Sequence, residues 1–256
     1  HRSALIDYQY FFVIWFFKVY LIAPLLLSAR EVAIGTHRLL RDYITPMFDV
    51  PYETVAITYT VALFVASDFT RYWLHRALHA FDFLWAFHKV HHSAEVLNPL
   101  TFYRIHPVES LLFGLRYALT AGVVTGVFMT LFAAKLSLLQ IFGVNAFVFI
   151  FSLLGSNLRH SAIYWGFPPW LETLIISPAQ HQLHHQYRYS RYNYGGALAI
   201  WDALFGSLKK SRDATKTTRF GIAADEMANY NSLIKLLTSP FRELVQKYKA
   251  YFRHWR

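Results

Sequence analysis

Four apolar stretches, each close to the roughly 20 residues that cross a bilayer as a helix, limit what this chain can fold into. They run from about Ala4 to Leu27, Val55 to Phe69, Leu111 to Ala134 and Leu136 to Leu154. The first is broken in polarity only by Asp7, Gln9 and Lys18, which can sit at its ends or snorkel. The second is short, but its helical pattern continues into Arg71, Tyr72, Trp73 and His75, so one helix is expected to leave the membrane and carry side chains into water. Little more than Lys135 separates the third from the fourth, and so short a connection requires an antiparallel hairpin. The expectation is an all-α integral membrane protein with about four transmembrane helices in two hairpins. Its 256 residues suit a single domain spanning 1–256. A hydrophobic fraction of 55%, with 18% aromatic residues, exceeds the usual apolar share of about 45–50% in soluble proteins. Lipid is the natural place to bury the excess.

Counting crossings places the polar chemistry. His75 to His106 follow the second stretch and His160 onward follows the fourth, so both regions emerge on the same side and can meet in a helical cap. More than half of the 25 basic residues fall between Arg159 and Arg256, which by the positive-inside bias makes that side cytoplasmic. The connection from Arg30 to Glu53 then faces the other side or lies in the interface; it mixes Arg30, Arg38 and Arg41 with Glu31, Asp42, Asp49 and Glu53. On this reading the formal charge of +10 reflects topology and anionic-lipid contact rather than nucleic-acid binding. Trp165, Phe167 and Trp170 around Pro168 and Pro169 resemble an interfacial aromatic belt, and Gly195 with Gly196 marks a turn. The segment Lys209 to Thr218 reads as a polar loop opening a basic tail, 209–256, in which Tyr248, Tyr251 and Trp255 suggest an amphipathic interfacial helix. The chain begins at His1 rather than Met, so a trimmed start is expected; no signal-peptide pattern with a cleavage site is visible.

With no cysteine in the sequence, any metal must be held by imidazole, carboxylate or water. His75 and His79 are four residues apart, which on a helix sets them on one face and lets both reach one ion. His88, His91 and His92 do likewise at spacings of three and four, and the pattern recurs at His181, His184 and His185. A lone histidine beside an apolar helix is more often a satisfied core residue than a ligand. Eight of the 13 histidines held at helix-face spacing reverse that balance, because a core gains nothing from them. Eight imidazoles also exceed the four that one zinc takes, so they suit two ions. Neutral imidazole accommodates iron, zinc or copper, and ligand type alone does not choose among them.

Together, His75-x-x-x-His79, His88-x-x-His91-His92 and His181-x-x-His184-His185, with Asn157-Leu158-Arg159-His160 between, resemble the fatty acid hydroxylase and sterol desaturase superfamily. The likeness covers roughly 68–208, where Asn98-Pro99, His106-Pro107-Val108-Glu109, Asn193-Tyr194-Gly195 and Trp201-Asp202-Ala203-Leu204-Phe205-Gly206 also match. The resemblance implies a membrane enzyme with a histidine-rich dimetal centre, normally diiron, that uses O2 and supplied electrons to hydroxylate or desaturate lipids. Carried over residue by residue, it makes the eight clustered histidines metal ligands and His160 a ninth. Some relatives have a further histidine where this chain has Ser156. That position can be filled by water held on Asn157, by His106, or left open for O2, and His106 can equally lie outside the ligand set. Asp68, Glu109 and Asp202 are the carboxylates available to receive the remaining N–H of a ligating imidazole.

Several expectations complete this reading. The substrate is a membrane lipid, fatty acyl or sterol-like. With neither a Rossmann glycine fingerprint nor a cysteine-based iron–sulfur site in the sequence, the electron donor is a separate cytochrome, ferredoxin or similar reductase. The membrane is the endoplasmic reticulum in a eukaryote or the inner membrane in a bacterium. Iron is the expected metal, although zinc can occupy such a site in a purified sample. The rivals are a membrane zinc hydrolase, disfavoured by the absence of His-Glu-x-x-His, and a metal-dependent receptor or transporter, disfavoured because the clusters lie beyond the apolar stretches.

Overall fold

A computed structural model of the chain describes residues 1–23, 28–45, 50–132, 158–213 and 219–253. Among these the architecture is helical, and pairing between extended segments is limited to two isolated bridges, Ile175 with Leu198 and Gln186 with Phe220. The helices are α1 (Arg2–Phe16), α2 (Ala29–Leu40), α3 (Tyr52–Ala80), α4 (Asp82–His92), α5 (Pro107–Leu131), α6 (Pro178–His184), α7 (Ile200–Leu204) and α8 (Leu233–Arg253). α1 runs on as a π-helical segment, Phe17–Ile22. The residues form two compact units, one of His1–Pro24, Tyr72–Ser110 and Gly155–Arg256, the other of Leu25–Arg71 and Leu111–Leu154.

In the first unit α1 buries Ile6, Tyr10 and Ile14 against Val90 of α4, Ile222, Tyr230 and Leu236 of α8. Each such side chain withdrawn from water contributes about 1.5–3 kcal/mol. Its opposite face exposes Leu5, Tyr8, Phe12, Trp15 and Phe16, so α1 is apolar nearly all round, as a helix between protein and lipid would be. Asp7 neither snorkels nor marks an end. It is buried, ion-paired to Arg104 at 2.9 Å, and accepts from Asn98 Nδ2 and Thr101 Oγ1. Arg104 also donates to the carbonyls of Val90, Ser93 and Tyr230. Removing one partner from a pair this deeply buried typically costs about 3–5 kcal/mol, so Asp7 is a structural keystone that ties α1 to the end of α4.

In the second unit Tyr59 and Leu63 of α3 pack with Ala121 of α5, and Tyr59 Oη meets Thr125 Oγ1 at 2.7 Å. α2 presses on α5 where Gly122 and Gly126 lack side chains. A Cβ on Gly122 would lie 2.4 Å from Val32 Cβ, and one on Gly126 would lie 2.6 Å from the Ala33 carbonyl oxygen. Such Gly-x-x-x-Gly contact lets helix backbones approach closely in a membrane setting. The segment expected as a connection, Arg30 to Glu53, therefore contains a packed helix, α2. α3 is continuous from Tyr52 to Ala80, so the second apolar stretch and His75 do share one helix. Among the described residues one helix, Pro107–Leu131, is long and apolar enough to cross a membrane. The fourth apolar stretch lies outside the described residues.

Candidate metal centre

The eight histidines singled out by their spacing and His160, added by the resemblance, converge within the first unit and divide into two clusters. His75 and His79 of α3, His88 and His92 of α4 and His184 of α6 form one; His91, His160, His181 and His185 form the other. In each, one ring nitrogen per residue lies within 4.8 Å of every other. α4 serves both, because its last turn directs His88 and His92 one way and His91 the other.

The local sequence explains how these helices are held. α4 carries the buried Lys89, whose ammonium bridges Glu226 at 2.9 Å and Glu243 of α8 at 2.8 Å. α6 has only seven residues, too few to be helical alone. A reciprocal cap supports it: Ser177 Oγ accepts from the Gln180 N–H while Gln180 Oε1 accepts from the Ser177 N–H, with Pro178 opening the helix. Ser177 Oγ in turn donates to the buried Glu172. Gln182 Nε2 donates to the Ser161 and Ile163 carbonyls, which draws the turn bearing His160 alongside His181 and His185.

Hydrogen bonds settle the ring orientation in the five-histidine cluster. His75 Nδ1 lies 2.8 Å from the Tyr194 carbonyl, His88 Nδ1 lies 2.8 Å from Glu109 Oε1, and His184 Nδ1 lies 2.7 Å from the Tyr192 carbonyl. A carbonyl or carboxylate can only accept, so each Nδ1 carries the hydrogen and each Nε2 points inward, toward the centre of the cluster. The Nε2 atoms of His75 and His88 face each other at 3.1 Å. That separation lies within the span of two imidazoles bound to one ion. The buried Nε2 atoms of His79, His92 and His184 have no hydrogen-bond partner among the described residues, which fits the same role.

In the four-histidine cluster the Nε2 atoms converge too. His160 Nε2 lies 3.3 Å from that of His91, 3.0 Å from that of His185 and 3.1 Å from that of His181, and His181 and His185 are 3.2 Å apart. Metal–imidazole bonds of about 2.0–2.1 Å would set ligands about 2.9–3.4 Å apart for angles between square and tetrahedral, which matches these spacings. Burial, reinforced by neighbouring histidines, pushes the imidazoles of His79, His91, His92, His181 and His185 well below their ordinary range. Burial likewise lowers His184 to about 3. Neutral imidazole is the form that binds metal. Both donor sets therefore fit metal ions in spacing, and the three rings of the first set with engaged Nδ1 atoms also fit in tautomer.

The remaining expected residues separate by what they touch. Glu109 is buried and bonded to His88, as a carboxylate supporting a ligand should be. Asp202 acts at one remove: it accepts from the Tyr194 and Gly195 N–H groups and from Ser207 Oγ, and so holds the peptide whose carbonyl orients His75. Asp68 belongs to the other unit, where it is an electrostatic neighbour of Arg116. His106 stands outside both clusters. Its Nδ1 accepts from the Val108 N–H and its Nε2 bonds to the Leu237 carbonyl, so both nitrogens are engaged in joining α5 to α8. Asn157 and Ser156 lie outside the described residues. Spacing did not reveal the carbonyls of Tyr192 and Tyr194, since any residue can supply a carbonyl. Trp85, whose ring packs against His79 at 4.9 Å and His92 at 5.3 Å, was also not singled out.

A family model described as fatty acid hydroxylase matches residues 60–207, a span that contains all nine histidines. The chain is 30% identical over 171 residues to alkylglycerol monooxygenase from Homo sapiens, covering 65% of this chain and 34% of that protein. It is 30% identical over 175 residues to the Delta(7)-sterol 5(6)-desaturase of Leptosphaeria maculans, covering 68% and 43%. Over 150 residues it is 30% identical to the very-long-chain aldehyde decarbonylase GL1-4 of Oryza sativa subsp. indica, covering 57% and 23%. The chain thus spans well under half the length of these curated relatives. No solved structure matches it significantly.

Proposed function

The chain belongs to the fatty acid hydroxylase family, and from that premise we propose that it is a membrane-bound dimetal oxygenase that hydroxylates a C–H bond of a lipid. The observation that carries this reading is the pair of imidazole cages, five histidines in one and four in the other, with the ring nitrogens of each within 4.8 Å of one another. Two irons held there would supply O2 activation and oxidation of an otherwise unreactive C–H bond. His75, His79, His88, His92 and His184 hold one ion; His91, His160, His181 and His185 hold the other. Glu109 and the Tyr192 and Tyr194 carbonyls keep the Nδ1 hydrogens on the outer side of their rings, so the inner nitrogens face the ion. The burial of eight of these nine histidines, with His79 partly buried, excludes bulk water from the reacting atoms.

The lipid class is fatty acyl or sterol-like, drawn from the bilayer in which Pro107–Leu131 and the other apolar stretches are embedded as four spans in two hairpins. The exposed aromatic face of α1 and the exposed Trp165 and Trp170 support lipid contact. Electrons come from a separate carrier docking on the cytoplasmic side, where the basic tail lies. The similarity to a sterol desaturase, at the same identity as that to a monooxygenase, favours desaturation as the second reading, because both outcomes begin with loss of hydrogen from carbon. Expression of the full-length protein with a competent reductase, followed by mass spectrometry of lipid extracts, separates them. Gain of one oxygen supports hydroxylation, loss of two hydrogens supports desaturation, and an unchanged lipidome with a loaded metal centre overturns both.

A further inference from the structure

The segment Tyr192–Asn193–Tyr194 has a feature that the ligand set alone does not explain. The carbonyls on either side of Asn193 each engage Nδ1 of a histidine in the five-histidine cluster, Tyr192 with His184 at 2.7 Å and Tyr194 with His75 at 2.8 Å. Those rings come from different helices, α6 and α3, and their centroids lie 4.6 Å apart. In an extended strand, residues two apart are separated by about 6.6–6.8 Å. Curling the backbone between them lets both carbonyls reach neighbouring rings. Asn193 supplies the curl: its φ of 57° makes it the one non-glycine residue with positive φ among the described residues. Asparagine tolerates this left-handed region far better than most residues.

The side chain of Asn193 is built in on all sides. It is fully buried, its Nδ2 donates to the Gln180 and Lys209 carbonyls at 3.0 Å each, and its Oδ1 accepts from the Lys209 N–H at 2.8 Å. Its own N–H donates to the Ser207 carbonyl. Asp202 braces the next peptide through the Tyr194 and Gly195 N–H groups.

We infer that Asn193 is a positioning residue for one metal alone: held in a left-handed conformation, it aims the two carbonyls that flank it, which fix the tautomer and tilt of His75 and His184. This rests on the dimetal reading above. Losing the partner behind a ligating histidine typically costs 10–100-fold in metal affinity, and here one residue governs two such partners.

The test uses full-length, metal-free protein titrated with Co(II), whose d–d absorption reports each imidazole site. His181→Ala leaves the five-histidine site for measurement, and His88→Ala leaves the four-histidine site. Adding Asn193→Ala to the first background should weaken cobalt binding at least tenfold and alter the spectrum of the bound ion. Adding it to the second should change affinity by less than twofold. Asn193→Asp, which keeps the left-handed preference and the acceptor for Lys209 N–H, should recover part of the loss. Asn193→Gly, which keeps the backbone freedom without the side-chain bonds, should fall between Asp and Ala and guards against simple misfolding of the alanine variant. Equal weakening of both sites, or no weakening of either, overturns the clamp. A wild-type protein that binds no cobalt overturns the dimetal reading and the clamp with it, an outcome distinct from binding of two equivalents that Asn193 variants leave unchanged.

Discussion

The two histidine clusters share a helix, a fold unit and a donor type, yet they are supported differently. In the five-histidine cluster three rings have their outer nitrogens engaged, by Tyr192, Tyr194 and Glu109. In the four-histidine cluster the outer nitrogens of His91, His181 and His185 have no hydrogen-bond partner among the described residues. The Arg104 backbone lies close enough to His91 to favour its charged form, but outside hydrogen-bonding geometry. Three rings of one cage are thus oriented by protein acceptors, whereas three rings of the other have no such acceptor among the described residues. A ligand's affinity depends on how its ring is held as much as on its presence.

The sharpest way to break this contrast is to remove a ligand from each side. His88→Ala and His181→Ala should each lose one of two bound metal equivalents, with turnover abolished in both; elemental analysis showing two equivalents in either variant would refute the division into five and four. Next in size, Glu109→Ala should weaken the five-histidine site by about 10–100-fold and leave the other within a factor of two. Competitive chelator titration resolves the two constants, and equal losses would mean that Glu109 supports the fold rather than one ring.

Acid should affect the clusters alike. Three buried histidines in each, His79, His92 and His184 against His91, His181 and His185, are held below the ordinary imidazole range. Above about pH 6.5 these groups are neutral whether the chain is folded or not. Below it, the unfolded chain takes up protons that the metal-free folded chain refuses, so stability falls as pH falls. Each histidine contributes up to about 1.4 kcal/mol per pH unit, for His184 until its folded value of about 3. Denaturant unfolding of the metal-free protein from about pH 8 to 5 should show this decline, and a flat profile would contradict the neutral cages. The smallest expected effect is that of Lys89→Met, which loosens α4 from α8. Because α4 carries ligands of both ions, metal affinity should drop by a similar few-fold factor at each site, and a selective loss would show that the helix does not move as one body.

Eight histidines were legible because metal binding restricts residue type and helix geometry restricts spacing, and both leave a record in the sequence; His160, alone in its segment, was legible only through the family motif around it. Glu109 and Asp202 were legible as carboxylates near the motifs, although only coordinates distinguish the direct contact of one from the indirect support of the other. Asp68 shares a helix with His75, but position on a helix does not say which unit a side chain joins. His106 matched a motif, yet its two nitrogens serve backbone groups of α5 and α8. Backbone carbonyls carry no residue signature, which is why the Tyr192 and Tyr194 contacts were invisible, although a non-glycine residue suited to left-handed backbone stood between them. Apolar length spoke clearly for α5, whereas α2 was hidden in the charges of a segment that reads as a connection. Asp7 looked like a membrane-edge residue because its partner, Arg104, is far away in sequence.

The order of ligands along the chain bears on biosynthesis. Four members of the five-histidine cage lie between His75 and His92, and only His184 comes later; the four-histidine cage has His91 early and its other three members from His160 onward. A ribosome therefore delivers nearly all of one cage before most of the other has been made. The first ion can be captured by a nascent chain still under synthesis, while the second must wait for α6 to be made, capped and docked. Metal supply during translation and metal supply afterwards would then limit two different sites of the same protein.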